Sequence, residues 1–154
     1  MIIDNKLKNS FINLLISEDQ AIGIYEAELF LNISPKDIFR NILLEEISHE
    51  NELIKIIDEL HWNLSSYQIF KLKINRLFGW GIGILMSIIP KRLCFIFHQA
   101  GEIKAAKGYA KLKSSIDQYN NFESFPSTKI KNILDKIIES EKLHSDTFKD
   151  LLAK

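Results

Sequence analysis

Two glutamate–histidine pairs with the same spacing are the residues of this sequence best suited to chemistry. Glu46 and His49 form one Glu-x-x-His pair, and Glu141 and His144 form the other. Residues three apart on an α-helix lie on one face, so each pair presents a carboxylate beside an imidazole. Oxygen and nitrogen donors of this kind bind metals such as iron and manganese. The spacing therefore indicates a metal site, although a single pair of this type is common on solvated helices.

Apolar residues before and after each pair predict that both pairs face a protein core. Such residues recur every three or four positions, which is typical of amphipathic helices, and the Glu and His fall on the apolar stripe. The first stripe contains Ile42, Leu53, Ile56 and Leu60, and the second contains Ile130, Leu134, Ile137, Phe148 and Leu151.

Two more glutamates lie on similar stripes, Glu18 near Phe11, Leu14, Ala21 and Tyr25, and Glu102 near Phe95, His98, Ala105, Tyr109 and Leu112.

Four buried carboxylates are untenable without compensating cations. Because two neutral imidazoles add no charge, two divalent ions would neutralise the group. The absence of thiolate ligands favours iron or manganese over a structural zinc. We therefore predict a two-metal site that acts catalytically through its ions, with the ligands Glu18, Glu46, His49, Glu102, Glu141 and His144.

The elements that must position these ligands are helices. Only 6 Gly and 3 Pro interrupt 154 residues, and the three–four periodicity continues almost throughout. We predict helices over Asn5–Leu31, from Ser34-Pro35 to Leu60 with Ser34 as N-cap, through the apolar stretch Leu77–Met86, over Pro90–Tyr119, and from Thr128 to the end. A polar segment, Asn120–Ser127, separates the last two.

The order of the ligands predicts the architecture. One Glu from each of two helices and Glu-x-x-His from each of two others is the ligand set of di-iron carboxylate bundles. We expect an all-α single domain over residues 1–154, a four-helix bundle with an additional apolar helix between two hairpins. Glu18 and Tyr25 have the same spacing as Glu102 and Tyr109, which indicates an internal duplication.

Composition excludes several other classes of protein. The 20 basic and 20 acidic residues balance, which argues against nucleic acid as a partner. Cys94 is the only cysteine, so we expect no disulfide or Cys-rich zinc module and a buried thiol. The first residues do not resemble a secretory signal. The apolar stretch is too short to span a bilayer.

The remaining acids and aromatic residues have less specific interpretations. We expect six glutamates to face outward: Glu26, Glu28, Glu45, Glu50, Glu52 and Glu139. His61 is interpreted as a cap or surface residue. His98 either packs in the core or has a role in substrate binding or proton transfer. Tyr25 and Tyr109 either pack in the core or donate a hydrogen bond to the metal cluster.

The motifs resemble the demethoxyubiquinone hydroxylase family of ferritin-like di-iron monooxygenases. Residues Glu18–Glu28 are similar to the family's first-helix pattern, and the two Glu-x-x-His pairs match its second and last helices. Glu102 takes its third-helix position, and residues 77–89 resemble its apolar middle segment. The Asp-His-Ala-Gly string that precedes the family's first Glu is replaced by Leu14-Leu15-Ile16-Ser17, while a similar string, His98-Gln99-Ala100-Gly101, precedes Glu102.

The resemblance implies a ferritin-like bundle that binds two iron ions, or manganese, and hydroxylates the ring of a polyprenyl quinol with O₂ and an external reductant such as NADH. It also implies peripheral contact with the cytoplasmic side of the inner membrane, or with the matrix side in a eukaryote, and a homo-oligomer or biosynthetic complex. The Trp80-bearing segment, followed by Lys91 and Arg92, fits an interfacial helix, and an ordinary covering helix is the alternative.

Three other functions fit the same residues. The first is a divergent family member acting on another quinone or lipid-like molecule. The second is a ferritin-type iron oxidase or iron-binding protein, and the third is a non-enzymatic helical partner protein whose site is vestigial.

Overall fold

The described part of the chain is helical, which confirms the all-α prediction. The computed structural model describes residues 5–33, 35–119 and 125–154, and no strand occurs within these ranges. Its elements are α1 (Asn5–Phe30), α2 (Lys36–Glu59), α3 (Ser66–Ile88), α4 (Lys91–Ile116) with a 3-10 turn at Asp117–Tyr119, and α5 (Ser127–Leu152).

Helix boundaries agree with the sequence patterns except at α3. The predicted N-cap Ser34, the first four residues and most of the predicted polar segment lie outside the described residues. The third helix begins well before Leu77, because Ser65 and Gln68 form a capping box. The Ser65 Oγ accepts from the Gln68 N–H at 3.2 Å, and the Gln68 Oε1 accepts from the Ser65 N–H at 2.8 Å. These two bonds satisfy amides at the helix start that otherwise have no partner.

The chain divides into two compact units. The α4–α5 unit comprises Met1–Leu14 and Arg92–Lys154, and the α2–α3 unit comprises Leu15–Lys91. Helix α1 contributes its residues up to Leu14 to the α4–α5 unit and its residues from Leu15 to the α2–α3 unit. A single domain therefore stays a prediction.

Aromatic stacking organises the core of the α4–α5 unit. The His98 ring stacks on the Phe148 ring with a centroid distance of 4.8 Å. The Phe95 ring lies 6.2 Å from the Phe148 ring. His98 is buried, which agrees with the interpretation of a packed histidine, and Cys94 is buried as predicted. Lys113 and Asp135 pair at 2.5 Å and join α4 to α5.

Glycines bring α3 close to α1 within the α2–α3 unit. A Cβ at Gly79 would overlap the Gln20 carbonyl, and one at Gly83 would overlap the Ile24 carbonyl. Gly23 on α1 approaches the carbonyl of Arg76 in the same way. The two helix backbones therefore touch, and Gly79 and Gly83 of α3 face α1.

Candidate metal centre

The α2–α3 unit contains the first cluster of predicted ligands, which we call the first triad: Glu18 on α1 with Glu46 and His49 on α2. All three side chains are buried. The His49 Nδ1 lies 3.8 Å from the Glu18 Oε2 and 3.9 Å from the Glu46 Oε2. The three-residue spacing on α2 places Glu46 and His49 side by side, and packing of α1 against α2 adds Glu18.

The α4–α5 unit contains an equivalent cluster, which we call the second triad: Glu102 on α4 with Glu141 and His144 on α5. These three side chains are also buried. The His144 Nδ1 lies 3.8 Å from the Glu102 Oε2 and 3.9 Å from the Glu141 Oε2. The two triads thus have the same composition and the same separations.

The separations in both triads suit a shared cation. They exceed the length of a normal N–H···O hydrogen bond. Two donors that each lie about 2.1 Å from one ion are at most about 4.2 Å apart, so the observed pairs fall within this limit. In each triad one ligand atom from every residue lies within 4.8 Å of the others. These buried groups could hold a metal ion.

The electrostatics of the first triad disfavour two ionised carboxylates without a cation. Burial raises the pKa of the Glu18 carboxyl well above its usual value of 4.5, and the nearby Glu46 carboxylate raises this pKa further. The His49 ring opposes the shift. Each triad contains two carboxylates, so one divalent ion would balance its charge. The donor set therefore fits one metal ion per triad.

A second charged group, which we call the Arg76 cluster, lies in the same unit as the first triad. It consists of Arg76 on α3, Asp19 and Glu26 on α1, and Glu50 on α2. The Arg76 Nη2 donates to the Glu26 Oε1 at 2.6 Å, and its Nη1 donates to the Asp19 Oδ1 at 3.3 Å. The Glu50 Oε2 lies 4.0 Å from the same Nη1. Trp80 Nε1 donates to the Glu26 Oε2 at 2.9 Å.

The carboxyl groups of the Arg76 cluster differ in pKa. Burial raises the pKa of Asp19, and Arg76 offsets this only in part. Burial also raises the pKa of Glu50, to which the Asp19 carboxylate adds. For Glu26, burial acts upward, but the bonds from Arg76 and Trp80 outweigh it and lower the pKa. Glu26 is therefore the carboxylate that Arg76 holds most firmly in its charged form.

The outward-facing prediction is wrong for Glu28, which has no exposed surface, and incomplete for Glu26, Glu50 and Glu52, which are partly buried. Glu28 follows the buried Tyr25 by three residues and therefore lies on the inward face of α1. Glu26 and Glu50 are partly covered because Arg76 on α3 lies against both carboxylates. Glu45 and Glu139 are exposed as predicted, and His61 is a surface residue.

Asp19 and Arg76 were not among the residues singled out from the sequence. The available signal was that Arg76 is the one charged residue within the fourteen or so positions before Pro90, in the most apolar part of the chain. A buried arginine stem in such a segment usually has an acidic partner.

The outer face of α3 is apolar. Nine large side chains on this helix are exposed, up to 78% for Ile88. We call them the α3 stripe: Tyr67, Ile69, Phe70, Ile74, Leu77, Phe78, Ile84, Leu85 and Ile88. Trp80 does not belong to the stripe, because it is directed towards Glu26 and lies 5.6 Å from the Phe30 ring. Among the helices of the described chain, none is long and apolar enough to cross a bilayer.

Comparison of the chain with protein-family models, curated proteins and solved structures gives no match.

Proposed function

We propose that this protein is an iron-dependent monooxygenase in which the two triads together hold a pair of iron ions, with manganese as the alternative metal. The observation that carries the proposal is the repetition of one buried donor set, two carboxylates and one imidazole, with matching separations in both units. Three protein donors per ion leave coordination positions open for other ligands. The proposal includes a ferritin-like four-helix bundle of α1, α2, α4 and α5, with α3 as the additional helix.

The proposed substrate is a demethoxyubiquinol-type polyprenyl quinol, on the basis of the motif resemblance. One oxygen atom of O₂ would enter a ring C–H bond, and the other would leave as water. Two electrons and two protons come from an external reductant, for which NADH is the first candidate. Bound iron would supply the reduction of O₂ that side chains cannot perform. The chain's own residues hold the ions, and buried aliphatic neighbours such as Leu53 and Leu134 exclude water.

The α3 stripe supports a peripheral membrane location for the proposed enzyme. A polyprenyl substrate resides in a bilayer, and an exposed apolar stripe on one helix suits insertion into the interface. Helix α3 carries three basic residues and no acidic residue. Its exposed Lys71 and Lys73 would favour anionic phospholipids. We propose that this face of the protein contacts the membrane from which the substrate is taken.

The decisive experiment is single-turnover oxidation by anaerobically iron-loaded protein. The loaded protein is supplied with reductant, ¹⁸O₂ and a short-chain demethoxyubiquinol, and the product is analysed by mass spectrometry. A ring hydroxyl containing one ¹⁸O atom supports the proposal. Oxidation of iron with no change in the quinol contradicts it and favours the ferritin-type alternative.

Two further measurements accompany this experiment. Complementation of a bacterial strain blocked at the demethoxyquinone step tests the same activity in cells, with the accumulated quinone measured. The matched control is Glu139→Ala, which removes an exposed glutamate two residues before Glu141. This variant is expected to retain iron binding and to complement.

A further inference from the structure

The two triads have the same ligands but different neighbours along the chain. In the first triad, Glu18 is followed by Asp19 and His49 by Glu50, so two acidic residues adjoin the ligands. In the second triad, the corresponding positions are Ile103, which is exposed, and Ser145, which is buried. The repeat therefore does not continue at the positions that follow these candidate ligands, and among the described residues the Arg76 cluster adjoins the first triad.

Arg76 connects those two acidic residues. Its Nη1 contacts the carboxylates of both Asp19 on α1 and Glu50 on α2, at 3.3 and 4.0 Å. In the part of the chain that the structure describes, no other cation contacts either carboxylate. The guanidinium is rigid and planar, so its Nε and Nη2 are held by Glu26 while its Nη1 is directed at the other two carboxylates. The single nitrogen of a lysine ammonium does not reproduce this geometry.

The backbone from which Arg76 extends is itself held in place. Gly23 packs on the carbonyl of Arg76, and Gly79, three residues later on α3, packs on the carbonyl of Gln20. Glu26 and its bond from Trp80 hold the other side of the guanidinium. The position of Arg76 relative to α1 is thus determined by backbone contacts at Gln20 and Gly23 and by the side chain of Glu26.

We propose that Arg76 is a positioning residue that fixes the rotation of α1 and α2 and so orients Glu18 and His49 for metal binding. Adjacent residues on a helix are separated by a fixed angle, so a held Asp19 fixes the direction of Glu18, and a held Glu50 fixes that of His49. The inference rests on the proposed metal function. It makes the first triad the more ordered site, which binds its ion before the second triad does.

The alternative role for Arg76 is purely electrostatic, and it predicts the opposite effect. Removing a positive charge near a cation site strengthens cation binding by Coulomb's law. Removing a positioning contact weakens it, by about tenfold to a hundredfold when outer contacts of metal ligands are lost. The direction of the change in affinity therefore separates the two roles.

The test is to titrate the protein with Mn²⁺. The electron paramagnetic resonance signal of the free ion measures how much Mn²⁺ remains unbound. Wild type is expected to bind two ions in two phases. Arg76→Gln is expected to weaken the tighter phase by about tenfold or more and to leave the other within about twofold. Arg76→Lys keeps the charge but loses the planar fork, and it is expected to weaken the same phase.

Controls assign the effect to one triad. Arg40→Gln removes an exposed arginine of α2 and is expected to bind as wild type does. In a Glu102→Gln background, which disables the second triad, the Arg76→Gln effect should persist. In a Glu18→Gln background it should disappear, as expected of a coupled pair.

Several results would overturn the inference. These are tighter binding by Arg76→Gln, equal weakening of both phases, no change in either phase, or wild-type affinity in Arg76→Lys. Fewer than two ions bound by wild type would instead refute the proposed metal function itself. Helical content by circular dichroism accompanies each titration, and Arg76→Lys preserves the test if Arg76→Gln does not fold.

Discussion

The His49 Nδ1 lies 3.8 Å from the Glu18 Oε2, although the two residues come from different helices. The distance is too long for a hydrogen bond and short enough for both atoms to bind one ion. A bound ion is therefore expected to draw the two side chains together and to join α1 to α2.

The first prediction concerns the number of ions. Wild type is expected to bind about two irons per chain, and His144→Ala or Glu102→Ala is expected to lose this stoichiometry because each removes one of three donors from the second triad. The measurement is iron content after anaerobic reconstitution and desalting. Two irons retained in both variants would show that the second triad is not a metal site.

The second prediction concerns the stability of the metal-free protein. Because the pKa of Glu18 is raised in the fold, the neutral carboxyl is favoured there, and the stability it contributes is lost as pH rises above 4.5 towards the raised value. Glu18→Gln cannot ionise. Its melting temperature should therefore exceed that of wild type by an amount that grows with pH, by about 2–4 °C for each kcal/mol.

Thermal melts at pH 4, 6 and 8 in the presence of a chelator measure this difference. With iron bound, the order should reverse, because the ion requires the carboxylate that Gln lacks. A gap that does not depend on pH, or a variant that is less stable in the metal-free state at pH 8, would contradict the burial of an ionisable carboxyl at Glu18.

The third prediction concerns contact between α1 and α3. Gly79→Ala and Gly83→Ala each place a methyl group against a carbonyl oxygen of α1 and should destabilise the protein by about 1–3 kcal/mol. Gly81 has nothing within 4 Å of its added Cβ, so Gly81→Ala should stabilise it by about 0.5–1 kcal/mol. Urea denaturation compares the three variants, and equal effects at all three glycines would refute the close approach.

The fourth prediction concerns the α3 stripe. Leu77→Glu and Phe70→Glu should each weaken binding to vesicles containing phosphatidylglycerol by about tenfold or more, because each replaces an inserted apolar side chain with a charge. Vesicle flotation measures the bound fraction. Leu143→Glu changes an exposed leucine of α5 and serves as the control. Wild-type protein that fails to float with these vesicles would refute membrane contact.

The sequence alone was sufficient to predict that the candidate ligands are buried. The three–four spacing around Glu18, Glu46, Glu102 and Glu141 assigns each helix an inward face, and all six candidate ligands are buried as this spacing predicts. The spacing could not predict Arg76 as a partner of Asp19, because the two are 57 positions apart and periodicity describes one helix at a time. Burial of Glu28 could have been predicted from the spacing, because Glu28 follows Tyr25 by three residues and so continues the apolar stripe that contains Glu18.

The start of α3 was missed for a different reason. The capping pair Ser65 and Gln68 is visible in the sequence, but the segment after it contains Lys71, Lys73 and Arg76 among exposed apolar residues. An exposed stripe and an inward face of glycines do not produce the usual pattern of a half-buried helix. The inward face of α3 is recognised only when the backbone of α1 is beside it.

The exposed apolar face of α3 has a practical consequence for handling the protein. Since the side chains of the α3 stripe are exposed, and Gly79 and Gly83 supply the close contact with α1, hydrophilic replacements at Phe70, Leu77 and Leu85 leave the interior packing intact. Such replacements would yield a version that stays dispersed at high concentration without detergent, which is suited to crystallisation and to spectroscopy of the metal-loaded state.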